Sequence, residues 1–164
     1  MSEFEKIVIK NDLGPRETLE FVLRNLDVTT KIDYEENPER NRKFAATAIS
    51  DPGTFIHARN EGSIIADRHY KKLFGFVASM SIVLDPFREK TRKATQDWLI
   101  RVALMLAKQT NWDFGVVFRN GAIVVLKYIS NENEMVLNEL YGIWTPERLE
   151  MVDIPYRMEE IPIL

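Results

Sequence analysis

Few side chains of this 164-residue chain have the types and spacing that metal binding or catalysis requires. The two histidines, His57 and His69, lie in separate segments, and only Asp67 stands close to one of them as a second metal-capable side chain. Because no motif specifies a third metal ligand, ordinary surface roles are favoured for both histidines. The acidic pairs Glu35-Glu36 and Glu159-Glu160 fall in a charged loop and a terminal segment, where solvated carboxylates are expected rather than an acid–base pair.

Motifs for nucleotide binding and for nucleophilic catalysis are also missing. The seven glycines are scattered and form neither a phosphate loop nor a dinucleotide-binding motif. The serines lack a nucleophile elbow, and the absence of cysteine excludes Cys–His catalysis, disulfides and thiolate metal sites. The sequence therefore predicts a protein that is not an enzyme, has no cofactor or metal, and suits a reducing cytoplasm.

Length and composition predict one domain over residues 1–164. A hydrophobic content of 45% suffices for one core, and a chain of this size buries roughly 70% of its unfolded surface. No apolar run approaches the ~20 residues that span a bilayer, and the charged start MSEFEKIVIKND contains no signal-like apolar segment. We therefore expect a cytoplasmic protein without a membrane partner.

Charge is distributed unevenly along the chain. Residues 65–127 hold 11 Lys/Arg and 5 Asp/Glu, whereas residues 128–164 hold 2 Lys/Arg and 8 Asp/Glu. Such asymmetry either steers a charged partner or reflects differently solvated faces. A nucleic-acid partner is disfavoured, because the basic residues mostly share a helix with acidic partners, and only Tyr70 offers an aromatic ring among them.

Hydrophobic periodicity predicts the order of the elements. The predicted strands comprise residues 7–9, 31–34, 44–49, 54–58, 79–84, 114–118, 122–128 and 134–138. A helix starts at Pro15 and buries Leu19, Val22, Leu23 and Leu26. A short helix runs from residue 64 to Gly75.

Turn residues define how these segments are connected. Asp51-Pro52-Gly53 and Arg119-Asn120-Gly121 predict hairpins, and residues 35–43 are predicted to form a charged loop. The long helix is expected over residues 87–109, with Asp85 as its N-cap and Pro86 at its first position.

One face of this long helix is predicted to be apolar and another to be charged. The apolar face contains Ala94, Trp98, Val102, Met105 and Leu106. The charged face contains Glu89, Lys93, Asp97 and Arg101, which alternate in sign at i,i+4 spacing.

The fold class predicted is α+β, a mostly antiparallel sheet with two main amphipathic helices packed on one face. Residues 5–58 and 79–138 repeat the order strand, helix, strands, so the two halves are possible pseudo-duplicates. The C-terminal segment 140–164 is predicted to add a short helix and an extended lid.

The start of that segment has specific helix signals. Thr145 is a candidate N-cap, Pro146 takes the first helical position, and Trp144 and Leu149 have the spacing of a hydrophobic staple. Pro155 ends the helix early. After this helix the backbone is expected to be extended, with Ile154, Tyr156 and Met158 lying across one edge of the core.

Three segments, together with the long helix, resemble a family of small bacterial immunity proteins. They are FGFVASMSIVLD at 74–85, WDFGVVFRNGAIVVLKY at 112–128 and LYGIWTPERLEMVDIPYRMEEIP at 140–162. The family is associated with contact-exchanged swarming-inhibition toxins of the polymorphic toxin class. The most specific element is Gly142–Leu149 followed by Pro155-Tyr156, and the second is the hairpin Phe118–Gly121. The family commonly has an acidic residue after that glycine, where this chain has Ala122.

The resemblance implies an antitoxin that binds one cognate toxin protein and neutralises it without catalysis. As its partner-facing surface we predict six carboxylates of the acidic C-terminal region, which would steer a basic toxin: Glu132, Glu134, Glu139, Glu147, Glu150 and Asp153. The alternative is a small-molecule-binding or hydrolytic α+β domain. Its pocket would lie under the C-terminal segment, with polar groups from His57, Asp67, His69 and Arg119.

Overall fold

A nine-stranded sheet forms the centre of the fold in the computed structural model, which describes residues 4–25, 32–37, 42–50, 54–61, 64–86 and 92–162. The strands are β1 Glu5–Lys10, β2 Ile32–Asn37, β3 Arg42–Ser50, β4 Thr54–Asn60, β5 Met80–Pro86, β6 Asp113–Phe118, β7 Ile123–Ile129, β8 Glu134–Asn138 and β9 Tyr156–Glu159. The helices are α1 Pro15–Asn25, α2 Ile64–Phe74, α3 Arg92–Gln109 and α4 Pro146–Met151.

The strand order is β2-β3-β4-β5-β1-β6-β7-β8-β9. Seven neighbouring pairs are antiparallel, and β8 pairs with β9 in parallel. This arrangement confirms the α+β class with a mostly antiparallel sheet. No helix among the described residues is long and apolar enough to cross a membrane.

The main core lies between one face of the sheet and the helices α1 and α3. Side chains of a strand alternate between faces, so Ile7 and Ile9 of β1 join this core while Val8 points to the opposite face. Apolar side chains of α1 and α3 share the core with them, which confirms the two main helices on one face.

The opposite face is partly covered by α2. Phe74 packs there with Val8 and Val117. Gly115 allows its close approach, because a Cβ at this position would lie 2.4 Å from the Phe74 ring.

The two halves repeat their elements along the chain but join the central pair differently. A strand, a helix and a three-stranded meander occur first as β1, α1 and β2–β4 and again as β5, α3 and β6–β8. The first meander adjoins β5 through its last strand, β4, whereas the second adjoins β1 through its first strand, β6. The repeated order therefore does not extend to a repeated arrangement in the sheet.

The predicted start of the long helix is wrong. Asp85 and Pro86 belong to β5, where they pair with Phe55 and Thr54 of β4, and α3 begins at Arg92. Strand pairing with β4 outweighs the local N-cap signal, since the capping residues are already engaged in the sheet ladder. Residues 87–91, including Glu89 of the predicted charged face, lie outside the described residues.

The predicted apolar face of this helix is partly wrong. Ala94 is exposed and Trp98 half-buried, although Val102, Met105 and Leu106 are buried as predicted. The buried face continues instead through Leu99, Thr95 and Arg92. Polar residues can be buried at its N-terminal end because they have polar partners inside the fold.

The region around residues 35–43 is more regular than predicted. Residues 35–37 continue β2 and residues 42–43 begin β3, with a register shift between Glu35 and Asn37. Strand pairing therefore replaces part of the predicted loop. Leu26, the last residue of the predicted α1 face, lies outside the described residues.

Both predicted hairpins are confirmed. β3 pairs with β4 across residues 51–53, which themselves lie outside the described residues. In the second hairpin, Arg119, Asn120 and Gly121 have φ values of 52°, 59° and 86°. Asparagine and glycine tolerate this left-handed region better than most residues, as the Asn-Gly signal indicates.

Candidate protein-binding surface

The C-terminal segment is fastened to the core at the start of α4. The Thr145 side chain accepts a hydrogen bond from Arg148 N at 3.3 Å, and Pro146 occupies the first helical turn. Trp144 is buried and donates from Nε1 to Val125 O at 3.0 Å, while Leu149 packs partly buried against the same core. These observations confirm the predicted cap and place both staple residues on the core.

Arg148 ties α4 to α3. Its Nε donates to Asp97 Oδ1 at 2.8 Å, its Nη2 to Gln96 Oε1 at 3.0 Å, and its Nη1 to Ile143 O at 2.9 Å. The guanidinium also lies 5.8 Å from the centre of the Phe118 ring. A planar guanidinium with several donors suits this buried crossing, because each donor meets a different acceptor.

Asp97 is the anionic partner in this crossing. Burial by itself raises the pKa of Asp97, but hydrogen bonds and positive charge from Lys93 and Arg148 outweigh it and hold the pKa below 3.8. The Lys93–Asp97 pair, at 2.8 Å, realises one step of the predicted charge ladder. The carboxylate therefore stays ionised at neutral pH and keeps Arg148 in place.

Glu5 extends the same network to the sheet. This fully buried carboxylate accepts hydrogen bonds from Arg92, from Gln96 Nε2 at 3.2 Å and from Arg119 N at 3.1 Å. Gln96 thus contacts both Glu5 and Arg148. The network holds together β1, α3, α4 and the turn after β6.

The two segments most specific to the immunity-family resemblance therefore meet at one buried network. Phe118 and Arg119 reach it from the hairpin, and Arg148 reaches it from Gly142–Leu149. In addition, Asn120 exchanges hydrogen bonds with Phe4 at the start of β1. These residues therefore make contacts inside the fold.

The segment after α4 is an edge strand rather than a lid. β9 pairs in parallel with β8, and Met135 N and Glu139 N donate to Pro155 O and Glu159 O. The short helix α4 spans the connection between the two strands, which a parallel pair requires. The prediction of an extended backbone is correct. The segment does not lie across the core as a lid, however, because its backbone hydrogen-bonds to β8 and extends the sheet.

β9 exposes apolar side chains on the side of the sheet that carries α4. Tyr156 and Met158 are in register with Met135 and Leu137, whose side chains lie in the main core. Paired residues of neighbouring strands share a face, so Tyr156 and Met158 point to that side. They are 42% and 37% exposed, which is high for large apolar side chains in a strand.

The six predicted carboxylates lie on two sides of this sheet edge. Glu147 and Glu150 are exposed on α4, and Asp153 follows it in an ion pair with Lys108. Glu134 pairs with Arg157 at 2.9 Å on the opposite face of the sheet. The structure therefore brings three of the six together around α4.

The other carboxylates lie away from α4. Glu132, in the 3-10 helix Ser130–Glu132, is exposed and lines a cavity together with Glu134. Glu139 is exposed directly after β8. The acidic residues consequently flank the β8–β9 edge instead of forming one patch.

A cavity of about 360 Å³ lies between the end of α2 and strands β7 to β9. Besides Glu132 and Glu134, it is lined by three cations and by apolar side chains: Lys72, Lys127, Arg157, Leu73, Phe74, Ile129 and Val136. Its volume is within the range of small-molecule sites.

The polar residues of the alternative hypothesis do not line this cavity. His57 lies on β4, His69 is exposed on α2, and Arg119 is exposed in the turn after β6. Asp67 lies in α2, but its side chain is outside the described part of the structure. Within the described residues, no group of three or more His, Asp or Glu side chains could hold a metal ion.

A second buried polar cluster, which no sequence motif predicted, lies under α2. Lys6 donates to the Tyr70 hydroxyl and forms an ion pair with Glu61 at 2.6 Å. Ser81 Oγ donates to Glu61 at 2.7 Å, and Arg59 lies 3.7 Å from the same carboxylate. Burial, followed by the negative charge of Glu61, raises the pKa of Tyr70 to about 12.

Glu61 makes this cluster sensitive to acid. Burial by itself raises the pKa of Glu61, but charge and hydrogen bonds from Lys6, with smaller contributions from Ser81 and Arg59, bring it below 4.5. A carboxyl whose pKa is lowered by folding stabilises the protein above its unfolded pKa, and this contribution is lost as the pH falls through the folded pKa. The stabilisation by Glu61 is therefore present at neutral pH.

We expect the free energy of unfolding to decline as the pH falls below about 4.5, and Glu61→Gln to make that decline shallower. The Gln variant should also be less stable at pH 7, because the ion pair between Lys6 and Glu61 is lost. Urea unfolding between pH 3 and pH 7 measures both effects. The control Glu150→Gln, on the exposed side of α4, should keep the wild-type slope; equal slopes for all three proteins would contradict this role of Glu61.

Comparison with protein-family models and with curated proteins finds no match for this chain.

Proposed function

We propose that this protein is an immunity protein that binds a cognate polymorphic toxin and neutralises it without turnover. The observation that supports this most directly is the C-terminal segment, which is fastened to the core at the acidic helix α4 and then forms the exposed edge strand β9. Tyr156 and Met158 are exposed on the face of the sheet that carries α4, and Glu147 and Glu150 are exposed on α4, so this face combines aromatic and apolar side chains with carboxylates, as binding surfaces with a charged rim do. The resemblance of Gly142–Leu149 to immunity proteins points to the same activity.

The charge of this region favours a basic toxin. Residues 128–164 contain eight carboxylates and two arginines, and both arginines are already paired with carboxylates. The remaining negative field attracts a cationic surface, and a nuclease, whose own substrate is a polyanion, presents such a surface. Occluding that surface would block the toxin without any chemical step by the immunity protein.

Co-purification with the protein encoded by the neighbouring gene tests the proposal. The tagged chain is expected to leave the column with that protein in a stoichiometric complex that persists at nanomolar concentration. Co-expression should also relieve growth inhibition by the neighbour. A harmless neighbour that forms no complex would contradict the proposal.

The two groups of carboxylates should contribute differently to the association rate. Glu147→Gln with Glu150→Gln neutralises the α4 side, and Glu132→Gln with Glu134→Gln neutralises the cavity side. If the toxin docks on the α4 side, we expect the first double variant to slow association several-fold at low salt and the second to change it less.

Surface plasmon resonance at two salt concentrations measures these rates. The expected loss should fade at high salt, because screening removes the long-range field. Equal rates for both double variants at low salt would exclude steering by α4. A larger loss for the cavity pair would move the contact to the other face.

The cavity between α2 and β9 favours a second candidate, a small-molecule-binding domain. Apolar Leu73 and Val136 line it beside Lys72 and Lys127, so an acid with an apolar body would find complementary groups. A screen of such acids by thermal shift tests this function. A genuine ligand should raise the Tm of the wild-type protein and have no such effect on Lys72→Ala/Lys127→Ala.

A further inference from the structure

The outer edge of β9 has backbone hydrogen-bonding groups with no strand beside them among the described residues. β9 is the last strand of the sheet, and β8 is its described neighbour. Pro155 O accepts a hydrogen bond from Met135 N of β8, and Glu159 O accepts one from Glu139 N directly after β8. Backbone groups alternate in direction along a strand. The N–H and C=O groups of Arg157 therefore also point to β8, whereas those of Tyr156 and Met158 point outwards.

The side chains around this edge leave room for another strand. Tyr156 and Met158 are exposed on the α4 side, and Arg157 is exposed on the cavity side, where it is held by Glu134 and Glu159. An incoming strand would bury the two apolar side chains against its own. Natural edge strands are protected against indiscriminate pairing by short length, charged side chains and proline, and β9, a four-residue strand between Pro155 and Pro162, has all three.

The sequence around β9 restricts which strand can pair there. Pro155 precedes the strand and Pro162 follows it, so the pairing segment is short. Glu159 and Glu160 lie at its end, and Glu150 and Asp153 lie in and after α4. A second copy of this chain would bring the same acidic groups against them, whereas a basic segment would be attracted.

We propose that the cognate toxin docks by adding an extended, basic segment to the outer edge of β9, where it pairs with the backbone of Tyr156 and Met158. This inference rests on the proposed immunity function and specifies its binding mode. Main-chain hydrogen bonds supply affinity in such strand addition, and the flanking side chains select the partner. Glu160, exposed directly after β9, then favours Lys or Arg in the added strand.

Proline at position 158 separates this mode from ordinary side-chain contact. Met158→Pro removes an outward N–H and places a ring where the added strand would lie, yet it leaves every hydrogen bond to β8 in place. The matched variant Met158→Ala removes the same side chain and keeps the N–H. We expect Met158→Pro to bind the neighbour-encoded toxin about 10- to 100-fold more weakly than Met158→Ala.

Amide hydrogen exchange of the wild-type protein supplies a second readout, which does not depend on how the proline variant folds. The amides of Tyr156 and Met158 should exchange rapidly in the free protein and slowly in the complex. Equal affinities of the two variants, with both amides still exchanging rapidly in the complex, would overturn strand addition and leave the immunity function standing.

Two further outcomes also decide against the proposal. Failure of the wild-type protein to form any complex with the neighbour-encoded protein would overturn the immunity function and the binding mode together. A wild-type dimer in light scattering that becomes monomeric in Met158→Pro would assign the β9 edge to a second copy of this chain instead of a toxin.

Discussion

Replacing Glu5 with alanine should lower the free energy of unfolding by about 3–5 kcal/mol, the range typical of removing one partner from a buried ion pair. Glu5 is fully buried and accepts hydrogen bonds from Arg92, Gln96 and the backbone N–H of Arg119. Without it, the buried guanidinium of Arg92 loses the Glu5 carboxylate, and Gln96 Nε2 and Arg119 N lose an acceptor. Urea unfolding at pH 7, followed by circular dichroism, measures the change.

Two control variants separate the buried charge from the mere loss of a carboxylate. Glu150→Ala removes an exposed carboxylate of α4 and should change stability by less than about 0.5 kcal/mol. Glu5→Gln keeps the volume and some acceptor capacity, so its loss should be intermediate. A Glu5→Ala protein within about 1 kcal/mol of wild type would show that the network contributes little to stability.

Replacing Trp144 with alanine is expected to cost about 3–5 kcal/mol, as truncation of a large buried aromatic side chain does. Trp144 is 9% exposed, packs on the main core and donates to Val125 O. Its loss would open a cavity next to β7 and leave that carbonyl without its indole donor. Thermal and urea unfolding measure the loss, with exposed Tyr156→Ala as the aromatic control at less than about 1 kcal/mol.

The same variant should loosen the C-terminal segment more than the rest of the fold. Trp144 and Arg148 both help to fasten α4 to the core, and β9 follows α4 in the chain. Hydrogen exchange should therefore accelerate more in α4 and β9 than in β1. Uniform acceleration across the sheet would indicate that the C-terminal segment unfolds only together with the rest of the protein.

If the proposed function is correct, Trp144→Ala and the surface variants should affect toxin binding in different ways. Trp144→Ala should weaken toxin binding by disordering β9, whereas Glu147→Gln with Glu150→Gln should slow association without changing stability. Comparing binding with stability for each variant therefore separates residues that hold the edge strand in place from residues that face the partner. Met158→Pro belongs to the second group, because its fold is expected to remain intact.

Most local elements followed from the sequence. The apolar spacing of Leu19, Val22 and Leu23 predicted α1, and Arg119-Asn120-Gly121 predicted the tight turn between β6 and β7. Thr145 and Pro146 predicted the start of α4 within one residue. Each of these signals depends on residues that contact one another within a few positions of the chain, so the sequence states them directly.

The errors arose where a distant partner competed with a local signal. Asp85 and Pro86 look like a helix start, yet β4 holds them in a sheet ladder through residues 54 and 55. The sequence around Tyr156 and Met158 predicted a covering segment, but these residues pair with β8 and form an edge strand. Backbone groups pair wherever a partner strand is available, and local periodicity does not show which strand that is.

The sequence alone determined the α+β class, the meanders, the cap of α4 and the excess of negative charge in the C-terminal region. Only the tertiary structure decided that Glu5 is buried beneath Arg92, that Lys6 meets Glu61 and Tyr70, and that the carboxylates divide between two faces of one sheet edge. From sequence alone, a charged residue in a strand is predicted to face solvent, because the partner that would allow its burial is not known. Those partners lie 55 to 87 positions away along the chain, beyond the reach of any local pattern.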